Sequence, residues 1–294
     1  MNRTIFDLIK ERAVLFDGGM GTELMRHGLP LGTSPETWNV ERPDIVQRVH
    51  TDYFEAGSDA VSTNSFGGNR IKLAAHGLEG RARELNLAAA RVARRAAPDG
   101  KFVAGSLGPT GKFLQPQGEF TEAEFEEVYA EQAGALAEGG VDLLIIETQY
   151  DLKEALAALK GARRAAPSLP VFVTLTFNKF PRGYFTLMGN TVPLSVDALE
   201  KEGALALGAN CTLNSEEMVG LIRAFREATK LPVIAQANAG KPALSGDGQV
   251  SYSQGLEDYV RFIPEMLKAG ANVIGGCCGT DPGYIRKMAE FILK

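Results

Sequence analysis

Short apolar runs recur along the chain, and nearly every one ends in small or polar residues before a longer segment with apolar positions at helical spacing begins. The runs fall at Ala13 to Phe16, Ala60 to Thr63, Phe102 to Ala104, Leu143 to Glu147, Val171 to Thr176, Ala204 to Gly208, Val233 to Ala237 and Asn272 to Ile274. Each predicts a strand, and strands alternating with helices are the signature of a parallel sheet. Eight such units in 294 residues predict an α/β fold, a single (β/α)8 TIM barrel over residues 1–294 with its active site at the C-terminal ends of the strands.

The helices between the runs carry start and stop signals. Thr121 with Glu124 three residues on reads as a capping box, and Gly139-Gly140 ends the segment it opens. Ser253 reads as the cap of a later helix that Pro264 must kink or restart. Asp44 to Ala56 and Glu79 to Ala97 read as further helices that pack on the barrel. A glycine-ended helix followed by a strand recurs at irregular spacing, which fits similar βα units and not a superhelical array.

Composition narrows the function classes. A hydrophobic content of 45% with 23% charged residues suits a large buried core. The net charge of -5 and the scattered basic residues exclude an electrostatic footprint for nucleic acid. No run is long enough to cross a bilayer, and the N-terminal segment has charges where a secretory signal needs an unbroken apolar stretch. Three cysteines without an export signal suit the reducing cytoplasm.

Those cysteines carry the candidate chemistry. Cys211 follows one predicted strand, and Cys277 and Cys278 follow another, each among glycines. A lone cysteine is usually a small buried apolar residue. Three thiolates at two strand ends supply three corners of a tetrahedron and leave the fourth open, as catalytic zinc sites do. Adjacent cysteines are poorly placed to bridge each other, so the pair reads as two ligands for one ion. His27, His50 and His76 fall on or beside helices and are expected to bind no metal.

Other strand ends could line a pocket. DGGMGTEL, residues 17–24, has glycines that let backbone N–H groups approach a carboxylate, and Asp17 is placed for an ammonium group; a plain glycine turn with a solvated Asp cap fits too. Glu147 ends the apolar run LLII, where a carboxylate needs a partner, either a substrate amine or a neighbouring Lys or Arg. Asn238 falls level with the cysteines. A competing reading is a zinc-free aldolase or lyase barrel using Lys153, Lys179 or Lys241 as a Schiff-base nucleophile. Another is a binding protein that sequesters its ligand without turning it over.

In chain order DGGMGTEL, TNSFGGNR (63–70), GSLGPTG (105–111), IIET (145–148), GANC (208–211) and GGCCGTDPGYI (275–285) resemble the homocysteine S-methyltransferase family. That family includes betaine-homocysteine methyltransferase and the homocysteine-binding domain of cobalamin-dependent methionine synthase. The resemblance implies a zinc-dependent S-methyltransferase with one Zn2+ per chain on Cys211, Cys277 and Cys278. The substrate, homocysteine or a similar small thiol, takes the open position and is methylated to methionine. It further implies that Asp17 and Glu147 hold the substrate amino group and that backbone N–H groups around Gly19 and Met20 hold its carboxylate. Asn238 matches a position that approaches the zinc when substrate is absent. The TNSFGGNR segment is similar to corrinoid-linked members, which implies methylcobalamin carried by a partner protein as methyl donor. S-methylmethionine, S-adenosylmethionine and betaine are the alternative donors, with Trp38, Phe66 and Tyr150 as candidate aromatic faces for a methylammonium group.

Overall fold

The computed structural model describes residues 3–244 and 250–293. Eight parallel strands form one sheet: β1 (Val14–Leu15), β2 (Ala60–Ser62), β3 (Phe102–Leu107), β4 (Leu143–Gln149), β5 (Val171–Leu175), β6 (Ala206–Asn210), β7 (Val233–Ala237) and β8 (Ala271–Gly276). Neighbours run β1-β8-β7-β6-β5-β4-β3-β2, and a parallel bridge from Phe16 to Ala60 brings the last strand back to the first. The result is the expected (β/α)8 barrel. Every predicted strand is present, although β6 starts two residues later than its apolar run and ends immediately before Cys211.

Side-chain alternation sorts the strands into two apolar layers. Phe16, Ala60, Phe102, Ala104, Leu143, Ile145, Phe172, Ala206, Ile234 and Val273 fill the barrel interior. Their neighbours, among them Leu15, Val61, Val103, Leu144, Val173, Leu207 and Ile274, pack outward on the helices. The inward positions closer to the C-terminal ends are Ser62, Ser106, Glu147, Thr174, Asn210 and Gln236, so the same periodicity that builds the core ends in a polar layer. At the opposite end, helix Ile5–Glu11 inserts Ile5 and Leu8 under the interior cluster, with Phe6 edge-on to Phe172 at 5.8 Å. Asp59 locks that floor, paired with Arg12 at 2.7 Å and Lys101 at 3.0 Å.

The capping box of Thr121 and Glu124 opens helix Glu122–Glu138, and Gly139 closes it. Ser253 caps nothing: the helix starts later, at Leu256 after Gly255, because Ser253 instead meets the hairpin through Lys241 N–H, which donates to its hydroxyl at 2.9 Å. The restart at Pro264 is present, with Leu256–Val260 giving way to a second helix, Ile263–Ala269. Residues 79–81 form a 3-10 turn before helix Ala82–Ala96. No described helix is long and apolar enough to cross a membrane.

Candidate metal centre and acid pair

The three cysteines are brought together at the barrel mouth. Their sulfurs all lie within 4.8 Å of one another, and Cys211 Sγ is 3.9 Å from Cys278 Sγ. A tetrahedral ion with bonds of 2.3 Å needs sulfur–sulfur edges of about 3.8 Å, so the cluster has the dimensions of a three-thiolate zinc site. Hydrogen bonds from Cys277 and Cys278 draw the Cys211 thiol down to about 3, and hydrogen bonding with Cys211 pushes Cys278 up to about 12 and Cys277 upward as well. The trio thus favours sharing one negative charge, and a cation is what would let all three ionise.

Local backbone explains the convergence. The non-glycine residues with positive φ among those described are Thr148, Cys211 and Thr212, all at this mouth. Cys211 sits at φ 63°, a conformation costing about 1–3 kcal/mol for such a residue and found preferentially where function requires it. On the other side, β8 runs against the β1 turn: Gly19 N–H donates to Thr280 O at 3.0 Å, and Gly276 N–H to Asp17 O at 2.8 Å. A Cβ on Gly276 would lie 2.0 Å from Thr280 Oγ1, so only glycine permits this contact. Because the Gly19 amide is committed to Thr280, Gly19 shapes the turn, while Met20 N–H, in the first turn of helix Met20–Arg26, has no intrahelical acceptor.

Asp17 and Glu147 line the same cavity as the cysteines, a space of about 350 Å³. Asp17 accepts from Ser62 N–H at 2.8 Å and Ser62 Oγ at 3.2 Å. Glu147 accepts from Ser106 Oγ at 2.5 Å. Neither forms an ion pair among the described residues, so the alternative of a Lys or Arg partner for Glu147 is not met there. Burial first, with Glu147 repulsion added, lifts Asp17 to about 8; burial lifts Glu147 to about 7. Asn238 is buried with its Oδ1 lacking a donor, and its side chain hydrogen-bonds toward Cys211.

Sequence reasoning missed several cavity residues. Ser62 and Gln236, inside their predicted runs, and Ser106, just past its own, were signalled only by inward parity, and Tyr252 arrives on a hairpin, Pro242–Leu244 with Val250–Tyr252. No histidine joins the sulfur cluster. His50 is buried and His27 caps helix Met20–Arg26 at its end, whereas His76 lines the outer cavity. Of the aromatic candidates only Phe66 lines the cavity; Trp38 is buried beneath Arg42, and Tyr150 stacks edge-on with Phe113. Lys153, Lys179 and Lys241 do not line it.

Fold and site together define a (β/α)8 barrel of the enzyme kind, with a sulfur donor set and an acid pair sharing the cavity at its C-terminal mouth. The chain belongs to the homocysteine S-methyltransferase family, whose sequence profile matches residues 14–292. It is 34% identical to methionine synthase of Mycobacterium tuberculosis and 32% identical to that of Mycobacterium leprae, over 98% and 99% of its own length. It spans 25% of the length of each of these curated relatives. Among solved structures it is similar to the homocysteine methyltransferase MmuM from Escherichia coli at 26% identity. The TM-score is 0.78 against the metallated form, covering 97% of this chain and 98% of that one. Against the oxidised form it is 0.81, covering 99% and 100%.

Proposed function

We propose that residues 1–294 act as one homocysteine-binding barrel that transfers a methyl group to the sulfur of homocysteine, giving methionine, with one Zn2+ per chain held by Cys211, Cys277 and Cys278. The observation that carries this reading is the pairing, in one cavity, of three converging thiols with a buried Asp17 and a half-buried Glu147, neither of which forms an ion pair among the described residues. A Zn2+ on three thiolates supplies Lewis acidity that keeps an incoming thiol deprotonated near neutral pH, where a free thiol with a pKa of about 8.5 is mostly protonated.

The protein's own residues do the rest. Asp17 and Glu147, oriented by Ser62 and Ser106, bind the substrate ammonium. Met20 N–H, on the turn that Gly19 shapes, faces the substrate carboxylate. Held at both charges, the acceptor points its sulfur toward the three cysteines, and orientation of this kind is a large part of the rate in a two-substrate displacement. The carbon–sulfur bond forms as the methyl group leaves its donor with the bonding pair remaining on the donor. Asn238, its Oδ1 free of donors, is the residue we assign to approach the ion when no thiol is bound.

The donor we favour is methylcobalamin on a separate corrinoid protein. Loops leaving the C-terminal strand ends expose Phe66, Phe113, Phe180, Leu187 and Met188, an apolar rim suited to a macromolecular donor. Three free thiols suit the reducing cytoplasm. Incubation of zinc-loaded protein with homocysteine and, in turn, methylcobalamin, S-methylmethionine, S-adenosylmethionine and betaine tests the activity and the donor together. Methionine from methylcobalamin is the expected result. Methionine from a small sulfonium or ammonium donor alone overturns the corrinoid assignment, and none from any donor favours the sequestering reading.

A further inference from the structure

The side chain of Asn210, fully enclosed at 1% exposure, reaches both halves of this site. Its Oδ1 accepts from Thr148 N–H at 2.7 Å and Thr174 Oγ1 at 2.9 Å, which fixes the amide plane and its orientation. Its Nδ2 has only two hydrogens but faces three acceptors. Thr148 Oγ1, at 2.7 Å, takes one hydrogen. The other lies between Glu147 Oε2 at 3.4 Å and Cys277 Sγ at 3.8 Å, long to each. A clamped amide with one hydrogen and two rival acceptors has two hydrogen-bonding states, and whatever satisfies one acceptor releases the hydrogen to the other.

We propose that Asn210 is a positioning residue that couples recognition of the substrate amino group to the electron density of the Cys277 sulfur. With the cavity empty, the shared hydrogen is drawn to the Glu147 carboxylate. When a ligand ammonium pairs with Glu147, that pull weakens and the hydrogen turns to Cys277 Sγ. A hydrogen bond to a thiolate ligand lowers its donation to the ion it holds, which is how groups just outside a ligand set tune a metal. The site then registers that the correct amino acid is present before the thiol reacts. This inference rests on the reading of Asp17 and Glu147 as the amine-binding pair.

Norvaline, which carries a methyl group where homocysteine has its thiol, occupies the amine site without offering a sulfur. In cobalt-loaded protein, saturation with norvaline is expected to move the sulfur-to-cobalt charge-transfer band to shorter wavelength. Asn210→Leu, still binding norvaline by calorimetry, is expected to show no such movement. Because Asn210→Leu strips Thr148 and Thr174 of an acceptor and can misfold, a second measurement uses the unaltered protein loaded with cadmium-113. There, scalar coupling from an Asn210 side-chain proton to the metal through Cys277 should grow on adding norvaline. Bound norvaline with an unmoved band and no gain in coupling overturns the role of Asn210 and leaves the amine site standing. Absence of any norvaline binding overturns both.

Discussion

Asp17 and His50 are each enclosed, and they shift in opposite senses. Burial holds the His50 imidazole down to about 3, with neither ring nitrogen hydrogen-bonded, so the folded protein keeps it neutral. The unfolded chain binds a proton there below the ordinary value of 6.5, so the contribution of His50 to stability is complete above that pH and is lost as pH falls toward about 3. His50→Leu is expected to lower the pH midpoint of acid unfolding, read by circular dichroism. For Asp17 the folded value of about 8 exceeds the ordinary 3.8, so its contribution is full below 3.8 and is lost as pH rises through 8. Metal-free Asp17→Asn is therefore expected to gain melting temperature relative to the parent at pH 8.5 and not at pH 4. On the proposed reading the same titration governs binding, because an ammonium would be held by the ionised acid. Calorimetry should find homocysteine affinity rising between pH 6 and pH 8 in the parent, and Asp17→Asn weakening it by about 30-fold or more, the loss expected when a buried charge pair loses one partner.

Among the elements, the β8 turn depends most on a single missing atom. Gly276 lies against Thr280, whose Cβ would be 2.7 Å from an added methyl group and whose β-branched side chain has little freedom to withdraw. Gly276→Ala is expected to displace Cys277 and Cys278 and to reduce bound zinc well below one per chain, measured by elemental analysis, while the helices keep their far-ultraviolet signal. The strands were legible because their apolar runs are continuous, and the cysteines because three thiols at two strand ends stand out from any packing pattern. Ser106, Asn210 and Gln236 were not, since a polar residue at or just past the end of an apolar run reads as an ordinary strand end until barrel closure shows it pointing inward. Ser253 misled for a related reason: its spacing fits a cap, but a long-range contact with Lys241 takes its hydroxyl. The Gly19 amide was likewise assigned to a ligand because nothing local reveals the Thr280 carbonyl beside it.

Across the whole molecule, stability and chemistry sit at opposite ends of the barrel. Leu8, 4% exposed, fills the floor far from the cysteines. Leu8→Ala is expected to destabilise the protein by about 2–5 kcal/mol in denaturant titrations. Zinc content and homocysteine affinity should stay at parental values, since the cavity wall is built from the other end. The N-terminal helix that supplies Leu8 has one more effect. It stoppers the vessel, so among the described residues the cavity beside the cysteines opens at the mouth, and on the proposed reading acceptor would enter and thioether depart by that one doorway. Traffic through one doorway must alternate: a methionine molecule still inside bars the next homocysteine, so accumulating product should slow turnover by competing with acceptor.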